Sequence, residues 1–599
     1  SVQGTSQVSG AIIASTVTTI VVFLPIVYLH GTAGELFKDQ AWTVAFSLLS
    51  SLVVAILVIP MLSTRFLKKY SAIHLEKRSI QFPRYRKILA GILKKKLLVI
   101  CCAVLMIALA LRLIPVVGSE FIPKTDLNDF SIEIKLPEGT ELYRTENVVN
   151  DIEQYLDEIL GNDLKTMYSI IGSSDNPGEN ESSVLIDENT ANIKFTLKKD
   201  HEIPSEDVLL KVNSVLDDIP DMEAQFIHDQ TALELTLGTE SAPVVIEIQG
   251  EDLDYIQQLT EKTKQQVLTI DDLFNVETNF DEGRPEINIV IDRVRAGLQN
   301  IGIDQLSSQL QIQLMGTDAG QWDSEGELRD ITIELPEIGL SEIEDIIITE
   351  GDRKIPLYDI AEISWNIAPE EIYRKNQVRI GKVTAHMKKN KPLDHIVNEI
   401  KQKMNTISFP VNYKYEITGE EYKRKEAFQN LKFALILSLI LVYMVLASQF
   451  ESLIHPFTII LSIPLAGVGT ILIFFLLGKT FNIMAYIGII MLVGIAVNDS
   501  IILVDAINQL KNEGLSRTDA ILEAAQRRIR PIIMTSLTTI LALLPLTFGI
   551  GEGTELRSPM ALAVIGGLIT STLLTLVVIP CVYSVMDGFF EKFLSKLSI

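Results

Sequence analysis

The sequence predicts a polytopic α-helical membrane protein that carries a large mixed α/β insert outside the bilayer. Three observations predict this class: apolar runs of spanning length, an internal repeat and a strong partition of charge. Runs of about 18–25 apolar residues are long enough to cross the hydrocarbon core of a membrane. The runs that we interpret as eight spans are 11–29, 41–63, 97–116, 432–449, 456–477, 484–508, 530–550 and 560–584.

The first sixty residues recur 520 residues further along the chain without a gap. Between Ser9 and Pro60, 17 of 52 positions are identical at this offset. The matches include Thr18-Thr19-Ile20 with Thr538-Thr539-Ile540, Leu24-Pro25 with Leu544-Pro545, and Ile59-Pro60 with Ile579-Pro580. Internal repeats define architecture, so we predict a tandem helical repeat. The chain ends on a complete copy of the unit and begins with the tail of another, and we therefore expect it to be part of a longer protein.

Charge separates the membrane part from the insert and orients the spans. Residues 121–430 hold 62 acidic and 29 basic residues, a net charge of −33, and the remainder holds 14 and 23, a net charge of +9. So acidic an insert argues against nucleic-acid binding. The loop 65–96 has eleven basic residues and one acidic residue, Glu76, and is predicted to be cytoplasmic by the positive-inside rule. Residues 117–431 then lie outside the cytoplasm, and 449–455 and 509–529 inside it.

Nothing in the sequence predicts a metal site, a cofactor or an enzyme. Cys101, Cys102 and Cys581 all lie in apolar stretches, which argues against a disulfide framework or a thiolate metal site. The seven histidines lack metal-ligand spacing, and we find no nucleophile–base pair. Gly478-Lys479-Thr480 ends like a phosphate loop, but Ile473 stands where that loop requires glycine.

The acidic insert alternates strands and helices. We predict strands at 130–136, 192–197, 244–248, 287–291 and 411–417, and helices at 145–159, 205–216, 253–267 and 391–404. Repeated strand–helix–strand units favour ferredoxin-like subdomains, with strands 330–334 and 355–363 in a third, inserted unit and 172–189 as a polar loop. The predicted divisions are 1–66 (end of the first helical repeat), 67–96 (basic linker), 97–116 (helix opening the second repeat), 117–242 (subdomain 1), 243–316 with 377–431 (subdomain 2), 317–376 (inserted unit) and 432–599 (five helices).

Asp499 is the candidate functional residue because it lies in the middle of an apolar span, beside Asn498. A carboxylate there costs about 2.5–3.5 kcal/mol to insert, so such residues usually face a bundle interior and have a function. Low-dielectric surroundings favour the neutral form, which makes reversible protonation the leading interpretation. Thr535 and Ser536 on the following helix are within reach as hydrogen-bonding partners. The alternatives are that Asp499 only joins two helices, that Thr535 only packs, and that Asp505 has a helix-end role.

Several motifs resemble those of the resistance–nodulation–division (RND) efflux permeases, in their C-terminal half. They are Ser9–Thr19, Glu120–Pro123, Leu136–Gly139, Gly494–Asp505 and Arg528–Ser536. The resemblance implies a twelve-helix tandem repeat with ferredoxin-like porter subdomains, and a homotrimer in the bacterial inner membrane with a large periplasmic domain. It also implies a periplasmic adaptor, an outer-membrane channel and proton-driven export of small amphiphilic substrates. Arg528 matches the family's basic residue at the cytoplasmic mouth, so the implied proton relay is Asp499, Asn498, Thr535, Ser536 and Arg528.

The sequence departs from the family where many members have lysine, because Asn498 stands there with Asp499 next to it. One hypothesis is that Asp499 supplies one carboxylate to a proton site shared between the repeats. The alternative is that an acidic pair on the family's fourth helix does all the coupling. Two other functions stay open: heavy-metal export, for which Glu133-Ile134-Lys135 lacks the methionine of the metal branch, and a non-pumping receptor or assembly subunit with the same fold. The substrate-binding residues cannot be assigned from the sequence.

Overall fold

A bundle of long helices and a mixed α/β region make up the molecule. The computed structural model describes residues 2–597 apart from 30, 68–81, 123–128, 138–139, 173–187, 199–207, 209–211, 213–221, 229–241, 281–282, 325–326, 337–339, 352, 370–371, 389–390 and 549–553. In chain order the described helices are α1 (Val2–Val27), α2 (Thr32–Val53), α3 (Ile59–Leu67), α4 (Pro83–Lys94), α5 (Lys96–Val117), α6 (Leu142–Leu160), α7 (Leu253–Leu268), α8 (Arg293–Leu298), α9 (Ile303–Met315), α10 (Leu393–Met404), α11 (Glu420–Phe450), α12 (Ile454–Ile460), α13 (Ser462–Leu477), α14 (Ile483–Asn512), α15 (Arg517–Thr547) and α16 (Thr554–Leu597).

The described strands all lie between residues 129 and 419. They are β1 (Asp129–Lys135), β2 (Leu164–Ile171), β3 (Thr190–Leu197), β4 (Glu223–His228), β5 (Val244–Gly250), β6 (Leu273–Thr278), β7 (Gly283–Ile291), β8 (Thr317–Ser324), β9 (Glu327–Ile333), β10 (Ile347–Glu350), β11 (Arg353–Pro356), β12 (Ala361–Pro369), β13 (Arg374–Lys375), β14 (Val378–Met387) and β15 (Lys414–Gly419).

Seven helical segments among the described residues are long and apolar enough to cross a membrane. They are Phe37–Leu62, Lys96–Val117, Glu420–Phe450, Ile454–Leu477, Ile483–Asn512, Arg517–Thr547 and Leu556–Phe589. Each overlaps one of the predicted spans. The predicted first span corresponds to a shorter apolar stretch, Ile12–Val27, within α1. The count of eight spans therefore stays a prediction.

The helix α14 lies at the centre of the bundle, because α1, α11, α13, α15 and α16 all pack against it. It is also among the most deeply buried of the spans, with buried residues on all sides along most of its length. A helix that is apolar all round is typical of a bundle interior. The polar side chains of Asp499 and Ser500, in the middle of α14, are consequently buried inside the bundle.

The first sheet has the strand order β2-β3-β1-β4, with each neighbouring pair antiparallel. Alternate residues of β1, Phe130, Ile132 and Ile134, are buried on one face, as the two-residue period of a strand dictates. The apolar face of α6 packs on them, and Phe130 stacks on Phe195 with ring centroids 5.2 Å apart. These elements form the core of subdomain 1.

The second sheet repeats this arrangement, because β14 pairs with β5 and β6, and β15 pairs with β5. Its core joins Val244 and Ile246 of β5 to Ile396 and Ile400 of α10. The core of subdomain 2 therefore includes α10, the last helix before the chain returns to the membrane.

The predicted inserted unit, 317–376, packs with elements that precede it in the chain. Its long ladder pairs β7 with β12, from Gly283 opposite Pro369 to Ile291 opposite Ala361. A separate core joins Leu306 of α9 to Ile348 and Leu357, so α9 packs with this unit.

Part of the predicted secondary structure differs from the structure. The strand predicted at 355–363 is wrong, because a 3-10 turn at Leu357–Asp359 separates β11 from β12. Pro356 precedes that turn and, with no N–H, cannot extend a ladder through it. The predicted linker 67–96 contains α4, whose Leu89 is fully buried against the bundle. Of the helix predicted at 205–216, only Val208 and Val212 lie within the described residues, and both are buried; most of the predicted loop 172–189 also lies outside them.

Candidate functional site

Asp499 lies in the middle of α14 with its side chain directed at α15. It is 4% exposed. Thr535 Oγ1 lies 3.3 Å from Asp499 Oδ1, and Ser536 Oγ lies 3.1 Å from Oδ2, so each carboxylate oxygen accepts one hydroxyl hydrogen bond. Thr572 of α16 donates to Ser536 Oγ over 2.7 Å. The carboxylate therefore begins a chain of hydroxyl groups that crosses three helices.

The two α15 hydroxyls have a second acceptor in the backbone of their own helix. Ser536 Oγ lies 3.0 Å from Ile532 O, and Thr535 Oγ1 lies 2.9 Å from the same carbonyl. A hydroxyl has one hydrogen to donate and can accept in return. When Asp499 is ionised both hydroxyls donate to it; when it is protonated, one hydroxyl accepts its single proton and donates to Ile532 O, while the other still donates to the remaining carboxyl oxygen. The arrangement thus accommodates both charge states of Asp499 without leaving a polar atom unpaired.

The neighbouring residue, Asn498, faces a different helix. Ser15 Oγ of α1 donates to Asn498 Oδ1 over 2.5 Å. One turn away, Thr19 Oγ1 lies 3.3 Å from Gly494 O, and a Cβ added at Gly494 would lie 3.1 Å from Thr19 Cγ2. The absence of a side chain at Gly494 lets α1 approach α14 closely, as small residues commonly do between membrane helices. The amide of Asn498 is thereby fixed against α1 while the carboxylate of Asp499 faces α15.

A cavity of about 510 Å³ opens between α14 and α15 at the level of Asp499. It is lined by Ile495, Asn498, Asp499, Pro531, Met534, Thr535, Ser536, Thr538 and Thr539. The polar lining is concentrated around the carboxylate, and the cavity is large enough to hold several water molecules. A buried carboxylate that borders such a cavity can exchange a proton with water.

Four of the five residues that the resemblance implied for the relay come together at this cavity, and Arg528 lies apart. It precedes Thr535 by seven residues of α15, about 10 Å along the helix axis. Asp505, the other acidic residue of α14, accepts at its Oδ2 a hydrogen bond of 2.8 Å from Gln509 Nε2. Asp505 and Arg528 therefore both lie outside the Asp499 group, nearer the predicted cytoplasmic ends of α14 and α15.

Sequence reasoning did not identify Thr572. Its signal was the run Thr570-Ser571-Thr572 in the middle of an apolar span, where three hydroxyl side chains in succession are unusual. Since such residues commonly serve helix packing, the run alone does not show which hydroxyl reaches the carboxylate.

The outer-domain methionines that a soft-metal path would use lie largely in cores. Met404 is 1% exposed in the core of subdomain 2, and Met167 and Met222 pack against the core of subdomain 1. Among the residues that the structure describes, no group of three or more His, Cys, Asp or Glu side chains is arranged to hold a metal ion. Methionine is a common filler of irregular core space, and these positions fit that use.

The structure is a helical bundle that carries a large α/β region between two of its spans, which is the fold expected of an RND-type permease. The model of the AcrB/AcrD/AcrF family matches residues 1–587, and the chain belongs to this family. The family and the candidate spans place it in the bacterial inner membrane as a multi-pass protein with a large periplasmic region.

The relatives of this chain include a curated protein and two solved structures. It is 26% identical over 603 residues to the swarming motility protein SwrC of Bacillus subtilis (strain 168), covering 98% of this chain and 56% of SwrC. Two crystal forms of a heavy metal efflux pump are 21% identical, with TM-scores of 0.81 and 0.82. The alignments cover 96% and 98% of this chain and 58% and 59% of the pump chain, and they show that the fold is shared. The chain thus spans somewhat more than half the length of these proteins.

Proposed function

We propose that this chain forms the C-terminal half of a proton-driven permease that exports hydrophobic and amphiphilic compounds such as drugs, detergents and dyes. The observation that carries the proposal is the Asp499 group: a buried carboxylate, hydroxyl partners suited to both of its charge states, and a cavity beside it. Intramembrane carboxylates mark proton relays in pumps and transporters.

Proton binding at Asp499 would change the forces between α14 and α15. The ionised carboxylate attracts both hydroxyls of α15, and protonation frees one of them to donate to the Ile532 carbonyl. Moving one charge through the membrane potential supplies about 2.3 kcal/mol per 100 mV, which is enough to bias a two-state equilibrium. In this mechanism Asp499 holds and releases the proton, Thr535 and Ser536 follow its charge, and Asn498 holds α14 against α1. Arg528 with Asp505 would exchange the proton with the cytoplasm.

The α/β region would handle the substrate. We propose that subdomains 1 and 2 are ferredoxin-like porter subdomains, supported by their matching strand orders, and that substrate passes through the cleft between residues 125–228 and 243–420. The inserted unit would dock towards an outer-membrane channel. The proposed assembly is a homotrimer with a periplasmic adaptor protein and that channel.

Amphiphile export is favoured over metal export by the positions of the methionines. Met167, Met222 and Met404 contribute to subdomain cores. The face of β1 opposite the buried Ile132 and Ile134 carries Glu133 and Lys135, and neither residue offers a sulfur ligand. The heavy metal efflux pumps share the fold of this chain at 21% identity, which carries no substrate assignment. Metal export and a non-pumping receptor role are therefore outcomes that the test must separate.

The test compares wild type with Asp499→Asn in the full-length protein, expressed with its adaptor and channel in pump-deficient cells. Asp499→Asn keeps the size and the hydrogen-bond acceptor but removes the titratable charge. Glu513→Gln, at the exposed end of the same helix, is the matched control because it removes a carboxylate of no proposed function. The readouts are accumulation of lipophilic dyes and bile salts, and of copper and zinc, with the proton gradient intact and then collapsed.

We expect wild type and Glu513→Gln to expel dyes only while the gradient is intact, and Asp499→Asn to lose at least nine-tenths of that efflux. Expulsion of copper or zinc without dyes would assign the metal branch. Wild type that expels neither class would favour the receptor or assembly role. Undiminished gradient-dependent efflux by Asp499→Asn would remove Asp499 from the proton path.

A further inference from the structure

A continuous chain of hydrogen bonds joins subdomain 2 to the membrane helices at their periplasmic end. The backbone N–H of Ser119, just after α5, donates to Asp394 Oδ1 over 2.9 Å, and Ser119 Oγ donates to Asp394 Oδ2 over 3.0 Å. The N–H of Asp394 returns a bond of 3.3 Å to Ser119 O. Both oxygens of the Asp394 carboxylate are therefore occupied by the same residue of the α5 terminus.

Arg424 extends this chain to α11. Its Nη1 donates to Ser119 Oγ over 2.7 Å, and its Nε donates to Glu421 Oε2 over 2.8 Å. Glu421 is fully buried, and the Arg424 side chain is 13% exposed. Ser119 thus accepts from a cation and donates to an anion, and such charge-assisted bonds are about twice as strong as neutral ones. We call Asp394, Ser119, Arg424 and Glu421 the junction.

The junction also reaches the first turn of α14, the helix that carries Asp499. The guanidinium of Arg424 lies 5.5 Å from the ring centroid of Phe428, which lies 4.5 Å from that of Tyr486 on α14. The residues beside Ser119 pair with the segment that leads into α14: Phe481 N–H donates to Gly118 O over 3.1 Å, and Glu120 N–H to Phe481 O over 2.8 Å. Asp499 lies thirteen residues beyond Tyr486, about 20 Å along the helix.

The end of α5 and the start of α10 are in close contact. Gly118 has φ +70°, and a Cβ there would lie 2.4 Å from Pro392 Cγ. His395 Nε2 lies 2.7 Å from Pro115 O. Beyond this contact, Ile396 and Ile400 fix α10 in the core of subdomain 2. A displacement at the end of α5 is therefore imposed on α10, and through α10 on the sheet of subdomain 2.

We infer that Asp394 and Arg424 are positioning residues that couple movement of α5, α11 and α14 to movement of subdomain 2. This inference rests on the proposed function, because it assigns the route by which the charge state of Asp499 reaches the substrate cleft. Three elements meet in the junction through directional, partly buried bonds, α10 of subdomain 2 and the spans α5 and α11, and α14 contacts it through the rings of Phe428 and Tyr486. Coupling between distant sites needs such an element, whose position both sites can bias.

Two first-turn aspartates in subdomain 2 provide a matched test. Asp394 occupies the second position of α10, and Asp254 occupies the second position of α7, where it is exposed. Asp394→Asn and Asp254→Asn make the same change in the charge and in the interaction with the helix dipole. Only Asp394→Asn weakens the junction. Arg424→Gln, alone and combined with Asp394→Asn, tests whether both residues act through Ser119.

The measurements use full-length protein in proteoliposomes with an imposed proton gradient: dye affinity by fluorescence polarisation, maximal transport rate, and thermal midpoint. We expect Asp394→Asn to reduce the maximal rate at least tenfold, with dye affinity within twofold of wild type. Asp254→Asn should transport at the wild-type rate. The double variant should be no slower than the slower single variant, because residues in one network are non-additive.

The outcomes separate this inference from the proposed function. Wild type that does not transport dye under a gradient overturns the proposed function and this inference with it. If wild type transports and Asp394→Asn matches it, the junction is not a coupling element. A slow Asp394→Asn whose dye affinity and thermal midpoint fall in parallel, or multiplicative losses in the double variant, also overturns the inference, because these results indicate a structural contribution only.

Discussion

Gly469 on α13 marks the closest approach of two spans, and substitution there should destabilise the bundle. A Cβ added at Gly469 would lie 1.8 Å from Thr570 Oγ1 and 2.1 Å from the carbonyl oxygen of Gly566 on α16. Rotation of Thr570 can relieve the first overlap but not the second, because Gly566 O belongs to the backbone of a helix. The partner glycine is equally constrained, since its own Cβ would lie 2.5 Å from Ile473 Cγ2.

The size of the effect follows from the separation that alanine would force. Ordinary contacts begin near 3.4 Å, so α13 and α16 must move apart by more than 1 Å to accommodate the methyl group. Overpacking of this kind typically costs about 1–3 kcal/mol. We expect Gly469→Ala near the upper end, because the overlap is with backbone and the separation also loosens the packing of Phe474 against Ala563.

Gly467→Ala is the control, because it lies two residues away on the same helix with no atom within 4 Å of its added Cβ. The assay is the thermal midpoint of the purified full-length protein, read as the fraction that stays folded in detergent after heating. Because the entropy of unfolding grows with chain length, 1 kcal/mol shifts the midpoint of so long a protein by less than about 1 °C, so Gly469→Ala should fall about 1–2 °C below wild type. Equal midpoints for Gly469→Ala and Gly467→Ala would refute the close-packing argument.

Two further predictions concern the periplasmic side. Gly118 and Gly161 both cap helices with positive φ, +70° and +42°, but only a Cβ at Gly118 would meet another atom, in Pro392. Gly118→Ala should therefore lower the thermal midpoint more than Gly161→Ala. Equal losses would show that backbone strain at positive φ, and not the contact with Pro392, causes the effect. Burial lowers the pKa of His386, which packs against Phe274, from 6.5 to about 4. The fold therefore favours the neutral ring: its stability is complete above pH 6.5 and is lost as the pH falls towards 4, by about 2 kcal/mol between pH 7 and 5. His386→Gln should reduce the drop in thermal midpoint over that interval, and an unchanged drop would assign the pH dependence to other groups.

The features that local sequence encodes were predictable. Hydropathy located the seven spans that meet the criteria of length and composition, because a bilayer imposes a minimum apolar length. The alternation in Phe130–Leu136 located β1, and the pairing of Asp499 with Thr535 and Ser536 followed from placing both motifs in consecutive spans. Each of these inferences needs only a residue's neighbours or the next helix along the chain.

The features that depend on distant segments were not predictable. Asp394 and Ser119 are 275 residues apart, and Arg424 and Ser119 are 305 apart, so nothing in their local sequence indicates that they meet. The turn that divides the strand predicted at 355–363 was missed because its apolar residues, Leu357 and Ile360, serve the core of the inserted unit and read as strand. In both cases tertiary packing decides what the local pattern leaves open.

The repeat explains why an amide and a carboxylate stand side by side on α14. Ser15 of α1 and Thr535 of α15 are equivalent at the 520-residue offset, and both donate hydrogen bonds to α14. Consecutive residues on a helix point about 100° apart, so Asn498 and Asp499 direct their oxygens to these two equivalent helices. The scaffold thus presents a similar hydroxyl to each side of α14, and the asymmetry lies in the acceptor. Because only Asp499 can change its charge, the proposed mechanism confines the proton-dependent movement to the α15 side, where the cavity lies, while the Asn498 contact keeps α1 in place.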